Sequence, residues 1–112
     1  MQVSTETFGN VLVAHTPEEF TEDFADSFFE ALTDPIHDGQ TRIVLQLDRT
    51  DAFDSAGLTG LVDFQNNLRN LGGNVVISGL RDPGRKIFEV TRLDRQFEIY
   101  ESVIDAVSRL QD

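Results

Sequence analysis

The sequence predicts an α/β fold: a mixed β-sheet that begins with an antiparallel strand pair, continues with parallel strands and carries about four α-helices. Three observations predict it. Apolar runs of strand length alternate with helix-patterned segments beyond the first fifteen or so residues. Asp54 and Ser55 open a helix just after one such run, and Leu71-Gly72-Gly73 closes that helix just before the next. Alternation of this kind joins parallel neighbours through helical crossovers, and functional sites in such sheets lie at the carboxyl ends of the strands.

Gln2 to Thr7 and Val11 to His15 read as two strands joined by Gly9-Asn10, a pair suited to a tight hairpin. Thr16-Pro17-Glu18-Glu19 then supplies a capping hydroxyl, a proline at the first helical position and a glutamate three residues on. A helix is expected from there to about Leu32. Phe20, Phe24, Phe28 and Leu32 recur at every fourth position, which predicts one apolar face packed on the sheet. Glu18, Glu22, Asp23, Asp26 and Glu30 occupy the other face. Asp34-Pro35 interrupts the pattern and His37-Asp38-Gly39 reads as a loop.

Arg42 to Leu47 follows as a buried strand, and Asp54 is a good N-cap for the next helix. That helix carries Leu58, Leu61, Val62, Leu68 and Leu71 along one side and ends on glycine where a left-handed residue is wanted. Asn74 to Ser78 is the next strand. Asp82-Pro83 opens a short helix by the same cap-then-proline logic, Phe97 to Tyr100 is a last short strand, and Ser102 to Leu110 is a final helix. Its Val103, Ile104, Val107 and Leu110 are expected on one face.

Size and charge narrow the functions. The 112 residues suffice for one core, so 1–112 is expected to be a single domain. A net charge of −11 with nine basic residues opposes binding to nucleic acid or anionic lipid, both of which need clustered cations, and favours a basic or mixed protein surface as partner. The absence of cysteine removes disulfides and thiol catalysis. No apolar run approaches the roughly 20 residues that span a bilayer, and no basic start precedes an apolar stretch. A cytoplasmic protein without membrane insertion is expected.

Catalytic and ligand-binding patterns are incomplete. Asp48, Asp51 and Asp54 fall at every third residue, as in a magnesium site or a receiver domain, but the acidic pair and lysine of a receiver and the alternate-residue ligands of a calcium loop are missing. The structural reading is that Asp48 ends a strand, Asp51 is solvated and Asp54 caps the helix. His15 and His37 have no ligand-spaced partner. Ser55 lacks the glycine two residues earlier that a nucleophile elbow requires, that position being Phe53. Gly57-Leu58-Thr59-Gly60 lacks the spacing and lysine of a phosphate cradle, so its glycines are expected to let a partner's backbone approach. No enzyme activity, catalytic residue, metal or cofactor is expected.

Ser55 stands at a helix start, where first-turn amides and the positive end of the helix dipole favour an added phosphate. The competing reading makes it simply the cap. Here the segment Phe53-Asp54-Ser55-Ala56-Gly57-Leu58, followed by Leu71-Gly72-Gly73-Asn74-Val75-Val76-Ile77-Ser78-Gly79, resembles the core of a STAS domain. That fold is shared by anti-sigma factor antagonists and the cytoplasmic tails of sulphate transporters. The D-S-x-G-L element from Asp54 to Leu58 is its most specific part, and Leu80 to Leu93 extends the likeness more loosely.

The resemblance implies that Ser55 is the residue an anti-sigma factor kinase phosphorylates. It implies a partner contact made of Asp51, Phe53, Asp54, Ser55, Ala56, Gly57, Leu58 and Gly60. The unphosphorylated domain, monomeric when free, would bind that kinase and release a sigma factor, and phosphorylation would end the contact. Ala56 replaces a second hydroxyl common in the family and leaves Ser55 as the acceptor. The chain departs from the pattern after its second strand, where a Gly-x-Leu-Asp-type loop is replaced by Val11 to Glu19 running straight into a helix. The alternative is a STAS regulatory or scaffold subunit of a transporter ATPase or stress-signalling complex, with Ser55 only an N-cap.

Overall fold

The computed structural model describes residues 3–111. In chain order its elements are β1 (Thr5–Phe8), β2 (Val11–His15), β3 (Glu19–Phe20), α1 (Glu22–Ala31), α2 (Thr33–His37), β4 (Arg42–Gln46) and β5 (Ala52–Phe53). They continue with α3 (Ser55–Asn70), β6 (Asn74–Ser78), α4 (Gly84–Val90), α5 (Leu93–Gln96), β7 (Ile99–Tyr100) and α6 (Val103–Leu110). Five strands form one sheet in the order β1-β2-β4-β6-β7, and β3 and β5 form a separate two-stranded pair. The first pair is antiparallel and every later one parallel, as the sequence predicts.

The central strands are apolar along their middles because both faces of the sheet are covered. Leu12, Ile43 and Val75 lie side by side on one face, as do Ala14, Leu45 and Ile77, while Val13, Val44 and Val76 line the other. Beyond the hairpin the sheet grows in one direction through successive parallel crossovers, and the connecting helices all share one face. Phe28, Leu32, Leu61, Leu68, Phe88 and Leu93 of these helices fill that side. Among the described residues α6 alone of the helices covers the opposite face, with Ala106, Val107 and Leu110.

Several local expectations hold at the level of single hydrogen bonds. Ser102 caps α6, its hydroxyl accepting from the Asp105 amide at 3.1 Å. The end of α3 is closed by Gly72 at φ +78°, with the Gly73 amide donating to the Leu68 carbonyl and the Gly72 amide to that of Arg69. This pair of bonds is the Schellman closure, in which glycine takes the left-handed position without a side-chain clash.

Others are corrected. The strand expected from Gln2 begins at Thr5, and Gln2 itself lies outside the described residues. Thr16-Pro17 does not cap a helix: the Thr16 hydroxyl is buried, 3.1 Å from the Gln46 carbonyl and 2.6 Å from the Thr50 hydroxyl. A loop and β3 therefore intervene, and α1 starts only at Glu22. Phe20 sits on β3 rather than on a helix, which breaks the expected stripe. Phe24 is 44% exposed, and Ala25, Phe28 and Leu32 make the buried face instead.

The Asp34-Pro35 break lies inside the short helix α2, whose first turn tolerates proline. The helix expected after Asp82-Pro83 is split into α4 and α5 around Arg92, which has φ 63°, and its N-cap position is Pro83, with no side-chain cap. These divisions raise about four helices to the six named above. Leu71 and Ile104 face solvent at 61% and 73% exposure, and Phe64 and Gln65 take buried positions on α3 that the apolar pattern did not include.

Candidate functional site

The loop from Asp48 to Asp54 leaves the carboxyl end of β4 and is fixed from beneath. The Thr50 hydroxyl, 1% exposed, donates to the Pro17 carbonyl at 2.5 Å, and the Asp51 amide donates to the Glu18 carbonyl at 3.0 Å. The chain then pairs with the segment before α1: Glu19 lies opposite Ala52 and Phe20 opposite Phe53. The Phe53 ring is held between Phe20 and Phe88, its centroid 6.4 Å and 5.9 Å from theirs. This two-residue pair delivers the chain to the start of α3.

Asp54 is the N-cap of α3, with extended backbone and a side chain that accepts from the Gly57 amide at 2.8 Å through Oδ1. Its other oxygen, Oδ2, accepts from the Glu22 amide at 3.2 Å. One carboxylate thus holds the first-turn amides of two helices, α1 and α3, and places their positive ends side by side. Ser55 is the first residue of α3, exposed, and takes no part in the cap. Local sequence left the cap between Asp54 and Ser55. The geometry assigns it to Asp54, and leaves Ser55 exposed at the helix start with its hydroxyl outside the cap.

The residues that the sequence grouped as a partner contact divide in two. Asp51, Ser55 and Ala56 are exposed and Asp54 is half-buried. Phe53 and Leu58 are half-buried against the domain's own core. Gly57 is buried, and a Cβ there would stand 1.9 Å from the Phe20 carbonyl oxygen. The glycine is needed because β3 crosses the helix start at this point, which corrects the expectation that it clears room for a partner. Gly60 similarly faces the Phe29 ring, 3.1 Å from where its Cβ would be. Thr59, one turn on from Ser55, is exposed and extends the free face.

Sequence reasoning missed the contribution of Glu22 and β3. A two-residue strand has no periodicity to read, and a hydrogen bond from the Glu22 amide to Asp54 spans 32 residues. The remaining candidates do not converge. Among the described residues no three acidic or histidine side chains gather closely enough to hold a metal ion. His15 is bonded through Nε2 to Glu6 at 2.7 Å, with its buried Nδ1 unpartnered, and His37 lies at the end of α2.

The sequence model of the STAS domain family matches residues 2–106. Comparison with curated protein sequences gives no match. Among solved structures, a Thermotoga maritima protein described provisionally as an anti-sigma factor antagonist superposes with a TM-score of 0.88 at 20% identity, over 98% of this chain and 95% of that one. A sulfate transporter family protein from Wolinella succinogenes superposes with a TM-score of 0.81 at 17% identity, over 94% and 88% of the two chains. The Bacillus cell fate determinant SpoIIAA in its phosphorylated form gives a TM-score of 0.74 at 17% identity, over 98% and 100%. At these identities the likeness is one of fold.

Proposed function

This chain belongs to the STAS domain family, and from that membership and the geometry around Ser55 we propose that it is an anti-sigma factor antagonist switched by phosphorylation. Unphosphorylated, it binds an anti-sigma factor serine kinase through the exposed start of α3 and so frees a sigma factor; phosphate on Ser55 ends the contact. The observation that carries this reading is a free, exposed Ser55 hydroxyl beside a cap that Asp54 already supplies. Thr50, the nearest preceding hydroxyl, is buried and bonded. The protein acts as a binding module, without catalytic residues or a cofactor.

The switch follows from where the charge goes. A phosphate adds about −1.5 to −2 charge. In the free domain it stays solvated at a helix N-terminus, where the dipole favours it. In a closely packed interface it would be desolvated beside Asp51 and Asp54, a like-charge arrangement that opposes burial. A hundredfold loss of affinity requires only about 2.8 kcal/mol. Titration calorimetry with the kinase tests this: Ser55→Ala keeps binding, and Ser55→Asp weakens it by about tenfold or more, equivalent to about 1.4 kcal/mol.

A second reading places the domain on a transporter ATPase or in a stress-signalling scaffold, with no phospho-switch. The fold shared with the Wolinella sulfate transporter family protein favours it. Under that reading Ser55→Ala and Ser55→Asp bind their partner alike, so the same measurement separates the two.

A further inference from the structure

We infer that the cleft between α1, α2 and the last turns of α3 is a binding site for a small organic cation with a flat apolar body. The cleft has a volume of about 340 Å³, the lower end of the usual range for small-molecule sites. Its wall contains Phe29 and Phe64, stacked with centroids 4.6 Å apart, together with Leu68 and the exposed Leu71. Glu30 and Asn67 line the same opening.

The charge of the occupant follows from two helix ends and one carboxylate. Glu30 lies in the last turn of α1, His37 ends α2, and Asn67, Leu68 and Leu71 belong to the end of α3. α1 and α3 turn their carboxyl ends toward the cleft, and a helix carboxyl end favours positive charge, while the five-residue α2 lines it at both ends, through Thr33 and His37. Glu30 adds a carboxylate, and α1 has no basic residue in its last turn to neutralise it. An anion of the same shape meets the opposite of each of these effects. The site is separate from Ser55, since the 16 residues of α3 span roughly 24 Å.

Two-dimensional amide NMR with 2-phenylethylammonium and, separately, phenylacetate tests the site. The ammonium should shift amides around Phe29, Asn67 and Leu71 with a Kd near or below about 1 mM, and the carboxylate should not. Glu30→Gln, a change at an exposed position, should weaken the ammonium by about threefold or more, and Ser55→Ala should leave it unchanged. Equal binding of the two probes, shifts centred elsewhere, an affinity indifferent to Glu30, or no saturable binding of the ammonium would overturn the assignment.

Discussion

Asp54 does more in this domain than the residue that follows it, because its two carboxylate oxygens close one amide on each of two helices. Losing a single helix cap costs about 0.5–2 kcal/mol. Asp54→Ala, which removes both bonds at once, should therefore lower stability by about 2 kcal/mol in urea unfolding. Ser55→Ala should lower it by less than about 0.5 kcal/mol, the range of an uninvolved surface position. The reverse order would return the cap to Ser55. Gly57 belongs to the same corner: a methyl group there collides with the Phe20 carbonyl. Gly57→Ala should cost about 1–3 kcal/mol, as overpacking of a tight site does, and should appear as a lower melting temperature. An unchanged melting temperature would mean that β3 yields readily and that the glycine serves some other purpose.

The elements show where local chemistry is decisive and where it is not. The Asp54 cap on Gly57, the Ser102 cap and the Gly72 closure were legible because each acts on amides or carbonyls within a few residues of itself, through rules that need no tertiary context. The α3 corner was legible in the same way, as a strand, a cap and an exposed serine. The α1 helix was not, because the phenylalanine spacing was aligned on Phe20, which belongs to β3. Likewise Thr16 carries the right residue type for a cap but spends its hydroxyl on Gln46 and Thr50, thirty and 34 residues away. The corrected register has a measurable consequence. Phe28→Ala should cost about 3–5 kcal/mol, as truncation of a buried aromatic does. Phe24→Ala should cost less than about 1 kcal/mol, since that ring remains partly in water. Similar losses for the two, read from denaturant midpoints, would restore the original stripe.

At the edge of the sheet, β7 and α6 meet through Glu98, which accepts from the Tyr100 hydroxyl at 2.9 Å and from Arg109 at 2.8 and 3.1 Å. Burial, reinforced by the Glu98 carboxylate, raises the Tyr100 phenol above its ordinary value of 10.0. A raised value in the folded state means that the neutral phenol's contribution to stability is complete below the ordinary value and is lost as pH climbs through the folded one. Tyr100 is the chain's single tyrosine, so absorbance titration reports it alone. The midpoint should lie above that of the urea-unfolded chain. A midpoint at or below it would contradict the hydrogen-bonded corner.

For the whole molecule, the chain belongs to the STAS domain family, and charge explains why the contact proposed at the start of α3 can be reversed by one phosphate. The net charge of −11 leaves little tolerance for a further dianion in a closed interface, yet the free domain can carry it at the dipole end of α3. No helix among the described residues is long and apolar enough to cross a membrane. The burial of Thr50 and the solvent exposure of Ser55 make the acceptor a question of position rather than of residue type. Peptide mass spectrometry of the protein after incubation with an anti-sigma factor kinase and ATP answers it most directly: the account predicts one phosphate, on Ser55, and none on Thr50 or Thr59. A stable phosphate at another residue, or no modification of Ser55 by a kinase that binds the domain, would contradict it.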